Sequence, residues 1–216
     1  MGRYSKYIND DPSVTTIIDV LGKDWIVYWI KSKGFDFADQ TRSDAAKIGQ
    51  KVHRAIDKWL GGAALSEAVE NLHVQEKRMF SVFTECITKL KIKPKEIEYE
   101  MYSKKLKVKG KADIFATLNG KKEEWVGDWK TDSWPKDKRQ EQERITKYRY
   151  QLAAYALLWE EKTGKKINNG FIIRVTKEHL PRQKIYLFDG NDYEDLFSAK
   201  KSFKCLRNIY RDIKGN

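Results

Sequence analysis

Gly110-Lys-Ala-Asp113-Ile-Phe-Ala-Thr-Leu118-Asn119-Gly120-Lys-Lys-Glu-Glu-Trp125-Val-Gly-Asp128-Trp129-Lys130-Thr131 is the stretch that decides how this chain folds. Two apolar runs flank Asn119-Gly120, a dipeptide suited to the positive φ angles of a tight hairpin turn. Side chains alternate faces along a strand, so Asp128 and Lys130 point the same way. A two-residue loop would pair Leu118 with Lys121 and, counting outward, Asp113 with Val126. Asp113 then shares a face with Asp128 and lies diagonal to it, roughly 7–8 Å away between backbones. The register predicts two carboxylates and a lysine on one patch of sheet, which is a metal site with a base beside it. An Asp-x-Lys triplet alone is commonly a solvated strand face, so its neighbours decide the reading.

The 216 residues carry a formal charge of +12, with 7 Trp and 11 Tyr. That balance suits a polyanion partner with bases to stack on, although aromatics also build cores. The length fits one domain spanning 1–216. Within it, 1–13 reads as a loose arm, 14–95 as a helical part, 96–190 as the sheet core and 191–216 as a closing helix. No apolar run approaches a bilayer span, and the N-terminus lacks a signal peptide's apolar segment. A cytoplasmic protein with no membrane partner is expected. Cys86 and Cys205 are too few for a disulfide framework or a cysteine-ligated cluster.

Upstream, Val14 to Ile30 has apolar residues at helical spacing, broken near Gly22, with Trp25 and Trp29 on one face. The next helix is predicted from Ser43, as N-cap, to Leu60, closed by Gly61-Gly62. Gly49 and His53 lie one turn apart beside its apolar stripe. Residues 66–92 read as one helix ending before Pro94, and Glu96 to Tyr102 as a strand. In the following run Lys107, Lys109, Lys111 and Asp113 share a face. Downstream, a polar loop from Asp132 to Gln142 precedes a helix from Glu143 to Lys162, with Gln151 and Tyr155 one turn apart. Phe171–Val175 and Lys184–Phe188 read as strands, and Tyr193 to Ile213 as an amphipathic helix. His73 and His179 have no comparable setting. The fold class is α/β: a mixed central sheet of about five strands flanked by helices.

Four motifs now stand in order on predicted elements: Gly49-x-x-x-His53, Gly110-x-x-Asp113, Asp128-Trp129-Lys130-Thr131 and Gln151-x-x-x-Tyr155. This series resembles the PD-(D/E)XK nuclease superfamily, specifically its RecB-like branch. Pro12-Ser13-Val14-Thr15-Thr16, with Trp29 and Gly34 ahead of the histidine helix, looks like the phage-type exonucleases of that branch. The resemblance covers about residues 12–190 and implies a restriction-endonuclease-like core. Three departures are visible: Gln50 stands where threonine is usual, Ala112 where the family's proline would be, and the cysteines of the iron–sulfur subgroup are absent.

Asp113 and Asp128 are hard oxygen ligands suited to Mg²⁺ or Mn²⁺. The resemblance implies that the Trp129 carbonyl and the His53 imidazole complete the ligand set. It also implies that Lys130 orients or deprotonates the attacking water. Glu100 is expected to support the site from behind, with Glu98 pointing away, and Gln151 and Tyr155 to position the nucleic-acid strand. Lys107, Lys109 and Lys111 form a candidate substrate track, or equally a solvated strand edge. The expected activity is hydrolysis of DNA phosphodiester bonds from single- or double-stranded ends, leaving 5′-phosphate and 3′-hydroxyl. A structure-specific or restriction-type endonuclease and a non-catalytic DNA-binding protein on the same scaffold are the alternatives.

Overall fold

A computed structural model describes residues 11–22 and 35–214 of the chain. The expectations for residues 1–10 and for the Trp25/Trp29 face lie outside the described residues. The elements are α1 (Val14–Ile18), a short 3-10 turn (Asp19–Leu21), α2 (Phe35–Leu60), α3 (Leu65–Val69), α4 (Val74–Lys89), β1 (Lys93–Ser103), β2 (Val108–Thr117), β3 (Trp125–Asp132), α5 (Lys138–Thr163), β4 (Asn169–Thr176), β5 (Gln183–Phe188) and α6 (Leu196–Lys214).

The five strands pair in sequence order. Neighbours run antiparallel except β3 and β4, which are parallel and joined through α5. This is the expected mixed sheet flanked by helices. Each face carries its own core. Val126, Phe115 and Ile172 meet α1, α5 and α6 on one side, where the Phe115 and Trp159 rings stack at 4.1 Å. Trp129, Ile114 and Ile173 meet α2, α3 and α4 on the other. Covered on both faces, β3 and β4 are buried along most of their length, as parallel strands between helical layers are.

Several boundaries differ from the sequence expectation for local reasons. Helix α2 starts at Phe35, so Ser43 lies inside it and caps nothing. Residues 66–92 form two helices, because the chain turns at 70–73 and restarts where Glu76 accepts the His73 amide at 2.8 Å. Helix α5 begins at Lys138, capped by the Asp137 carboxylate on the Gln140 amide at 2.8 Å, so the polar loop is shorter than expected. Gly164, at φ 74, ends α5 as predicted.

The hairpin turn forms where expected, with Asn119 and Gly120 at φ 52 and 73. The Lys121 amide closes it on the Leu118 carbonyl at 2.9 Å. Its register is nevertheless corrected. The ladder pairs Ala116 with Trp125, Phe115 with Val126 and Ile114 with Gly127, so Asp113 does not face Val126. Lys121 to Glu124 stay outside the ladder and displace the register by two residues. A two-residue displacement preserves which face each side chain takes; a one-residue slip would have reversed it.

Gly127 sits where β3 crosses the Phe171 ring, and a Cβ built there would lie 2.1 Å from a ring carbon. Phe171 is fully buried, so the ring has no room to retreat. Gly127→Ala is therefore expected to cost about 1–3 kcal/mol by overpacking, read as a lower midpoint in chemical denaturation at unchanged slope.

Candidate active site

Only three residue pairs hold β2 to β3; past Ile114–Gly127 the ladder stops. Asp113 and Asp128 are the first residues beyond it, directly across the opening from one another. In place of a further ladder bond, the Trp129 amide donates to Asp113 Oδ2 at 2.8 Å. The backbone alternation also slips here: Ala112 and Phe115, three apart, face the same core. On the far side of β2, the ladder passes from Ile97–Ile114 to Tyr99–Ala112, leaving Glu98 opposite Asp113.

Both helical layers reach into this opening. From α2, His53 Nδ1 stands 3.6 Å from Asp113 Oδ2. From α5, the Gln151 amide donates to Asp128 Oδ1 at 3.0 Å and to the Tyr155 hydroxyl at 3.0 Å, while its carbonyl accepts from Lys130 Nζ at 2.9 Å. Lys130 also pairs with Asp128 Oδ2. Close packing of α2 on β3 depends on Gly49, where an added Cβ would lie 2.5 Å from Thr131 Oγ1. The cleft in front holds about 480 Å³, and Lys111, Lys130, Arg54 and Lys177 stand along it.

Burial dominates the electrostatics. It pushes the Asp128 carboxyl up to about 6, helped by the charge of Asp113 and opposed by Lys130. Burial raises Asp113 as well, against Lys130 and the Trp129 amide. The same desolvation holds His53 down to about 4, leaving a neutral imidazole with a free lone pair near neutral pH. Two buried carboxylates that resist ionising together, beside a neutral imidazole, are a donor set suited to a hard divalent cation. Lys130's ammonium stands over Asp128 as the nearest positive charge. No three His, Cys, Asp or Glu side chains among the described residues close into a ready-made cage. The donor chemistry fits a hard divalent cation, with Asp113 and Asp128 from the sheet and His53 from α2.

Other expectations are revised. Glu98, not Glu100, lines the cleft, where it pairs with Lys111; Glu100 is exposed. Two residues apart, the glutamates would share a face of a regular strand; Glu98 has φ 52, which interrupts the alternation at that residue. Tyr155 is 5% exposed and offers a nucleic-acid strand no surface; with Gln151 it braces Asp128 and Lys130 from behind. Burial pushes its phenol above the ordinary range. Of the lysine track, Lys111 lines the cleft; Lys107 has φ 51 in the Lys104–Lys107 turn and Lys109 is half-buried on β2, neither of them lining it.

Sequence reasoning also passed over Asp57, one helical turn beyond His53 and so on the same face of α2. That spacing is readable, yet the residue was not weighed. Lys177, whose Nζ donates to the Ala45 carbonyl at 2.6 Å, carries no comparable signal.

Residues 32–213 match the family model of the PD-(D/E)XK nuclease superfamily. Among solved structures, the chain is similar to a Eubacterium rectale protein provisionally named an exonuclease. The two are 19% identical with a TM-score of 0.48, over 79% of this chain and 68% of that one. No curated protein matches the chain in sequence.

Burial and the neighbouring Asp113 push Asp57 up to about 7 from an ordinary 3.8, and its Oδ1 is buried without a hydrogen bond. An acid raised on folding penalises the fold increasingly as pH climbs from its unfolded to its folded value. Asp57→Asn should therefore match wild type at about pH 4, gain stability progressively toward pH 7 and hold a constant advantage at about pH 8. Thermal melts in EDTA across that range check this; an advantage that ignored pH would refute it.

Proposed function

The chain belongs to the PD-(D/E)XK nuclease superfamily, and from that premise we propose a metal-dependent deoxyribonuclease of the RecB-like branch. We take it to act from DNA ends, as phage-type exonucleases do, and to leave 5′-phosphate and 3′-hydroxyl. The observation that carries this reading is the meeting of Asp113, Asp128, Lys130 and a neutral His53 at the open end of the β2–β3 ladder. A protein that only binds DNA has no use for all four.

Asp113, Asp128, the Trp129 carbonyl and His53 would hold Mg²⁺ or Mn²⁺. Bound there, such an ion supplies a Lewis acid for the scissile phosphate and a lower pKa for the attacking water. The protein's own groups do the rest. Gln151 presents Lys130 toward the cleft while fixing Asp128, and Tyr155 fixes Gln151. Lys130, once its ammonium has released a proton to solvent, orients the water and takes its proton as the water attacks phosphorus; the P–O3′ bond breaks and the departing 3′-oxygen is protonated from solvent. Lys111, Arg54 and Lys177 face the phosphate backbone along the cleft.

End-labelled single- and double-stranded DNA, with a covalently closed circle alongside, tests the reading in Mg²⁺ or Mn²⁺. Linear substrates should be degraded and the circle spared; a cut circle would assign an endonuclease. Asp128→Ala should abolish cleavage yet leave DNA binding equal or tighter, since an anion is lost from a basic cleft. Lys130→Ala should slow turnover by ~10²–10⁴. Arg at that position should not restore it, because guanidinium does not give up its proton. Near-normal turnover by Lys130→Arg would reduce Lys130 to positioning.

A further inference from the structure

The β4–β5 loop, residues 177–182, begins in the cleft at Lys177 and is fixed at both ends. Thr176 and Arg182 close it: the Thr176 amide donates to the Arg182 carbonyl at 2.9 Å and the Arg182 amide donates to the Thr176 hydroxyl at 2.9 Å. Side chains from the first turns of α4 fasten the middle. Gln75 donates to the Lys177 carbonyl, and Arg78 donates to the His179 carbonyl at 3.1 Å and to its Nε2 at 2.9 Å. So fastened, the loop holds Leu180 out at 76% exposure, with Val74 at 68% on the adjoining helix start. These are the two most exposed large apolar side chains among the described residues.

The charges around this tip differ in one respect. Arg182 is neutralised by Glu178 at 2.6 Å. Arg78 and Lys177 are bonded to neutral acceptors instead, and neither has a carboxylate partner among the described residues. An apolar tip beside two cations without a carboxylate in contact among the described residues, one of them lining the nuclease cleft, matches nucleic acid better than protein. It matches one form of it in particular. Inside a duplex, base faces are covered by their neighbours; an unpaired strand offers them along its length, whereas a duplex exposes one only at each end.

We propose that this loop receives an unpaired nucleic-acid strand at the mouth of the cleft, a base against Leu180 and the flanking phosphates at Arg78 and Lys177. The assignment rests on the nuclease reading and extends it to strand recognition.

Anisotropy of a fluorescein-labelled oligothymidine and of a blunt duplex of equal length, both in EDTA, tests it. Leu180→Ser should weaken oligothymidine binding at least about four-fold, the worth of one CH₂ group buried against a base, and leave the duplex unaffected. Leu180→Phe should bind oligothymidine at least as tightly as wild type. At this exposure neither change should shift the melting temperature. Unchanged oligothymidine affinity in Leu180→Ser overturns the proposal. Weakening confined to the duplex also overturns it, in favour of a wedge against the terminal base pair. Wild-type protein that binds both probes and cleaves neither in Mn²⁺ would strike the nuclease reading separately.

Discussion

The hydrogen bond from the Trp129 amide to the Asp113 carboxylate is the constraint on which the site depends. At that level a regular antiparallel pair would present a backbone carbonyl. Here a side chain accepts instead, so β2 and β3 can part without stranding a buried N–H, which would cost about 1–3 kcal/mol. One bond ends the ladder, ties an acidic side chain to the strand bearing Asp128 and Lys130, and orients the Asp128–Trp129 peptide, the unit just before the Trp129 carbonyl. Asp113 thereby reaches across in the plane of the sheet.

Such a site destabilises the fold that carries it, and the far end of β3 offsets this. Arg174 is fully buried, with its guanidinium on Asp132 and Glu141, and Tyr148 donates to Asp132 at 2.9 Å. Glu141 in turn accepts from Lys184 at 2.8 Å and from the Tyr186 hydroxyl at 2.5 Å. Every charge there is paired, the condition under which buried ions are tolerated. The Asp113–Asp128 end is the opposite case, two carboxylates raised by burial and each opposing ionisation of the other. Lys130 lies between these ends, its ammonium 5.6 Å from the centre of the Tyr148 ring. The strand is rigid where structure needs it and electrostatically unfinished where a cation would complete it.

What the sequence disclosed follows from which quantities are local. The turn at Asn119-Gly120 was legible because two residues determine it, and the pairing of faces survived because the register moved by an even number. Helix spacing put His53, Gln151 and Tyr155 on the right elements. Regular alternation gives Glu98 and Glu100 one face, so setting Glu98 apart had no basis in the pattern, and the positive φ that does separate the two leaves no mark in it. Lys107 was misjudged because its positive φ leaves no mark there either. Tyr155 was given to the substrate because periodicity marks a face of α5 without saying how deeply that face is covered. Asp57 was available at i+4 from His53, and only its burial beside Asp113 gives it weight.

The open ladder also answers a geometric difficulty of any layered α/β fold. Helical layers sit on opposite faces of a sheet, each about 10 Å from it, so side chains from the two layers do not ordinarily meet. His53 comes from α2 on one face and Gln151 from α5 on the other, yet the first approaches Asp113 while the second holds Asp128. They do so only because three pairs, and no more, join β2 to β3. Extending that ladder by one pair would fill the gap with backbone and return the two aspartates to ordinary strand positions. The brevity of the β2–β3 pairing is thus the feature that turns a sheet into a site.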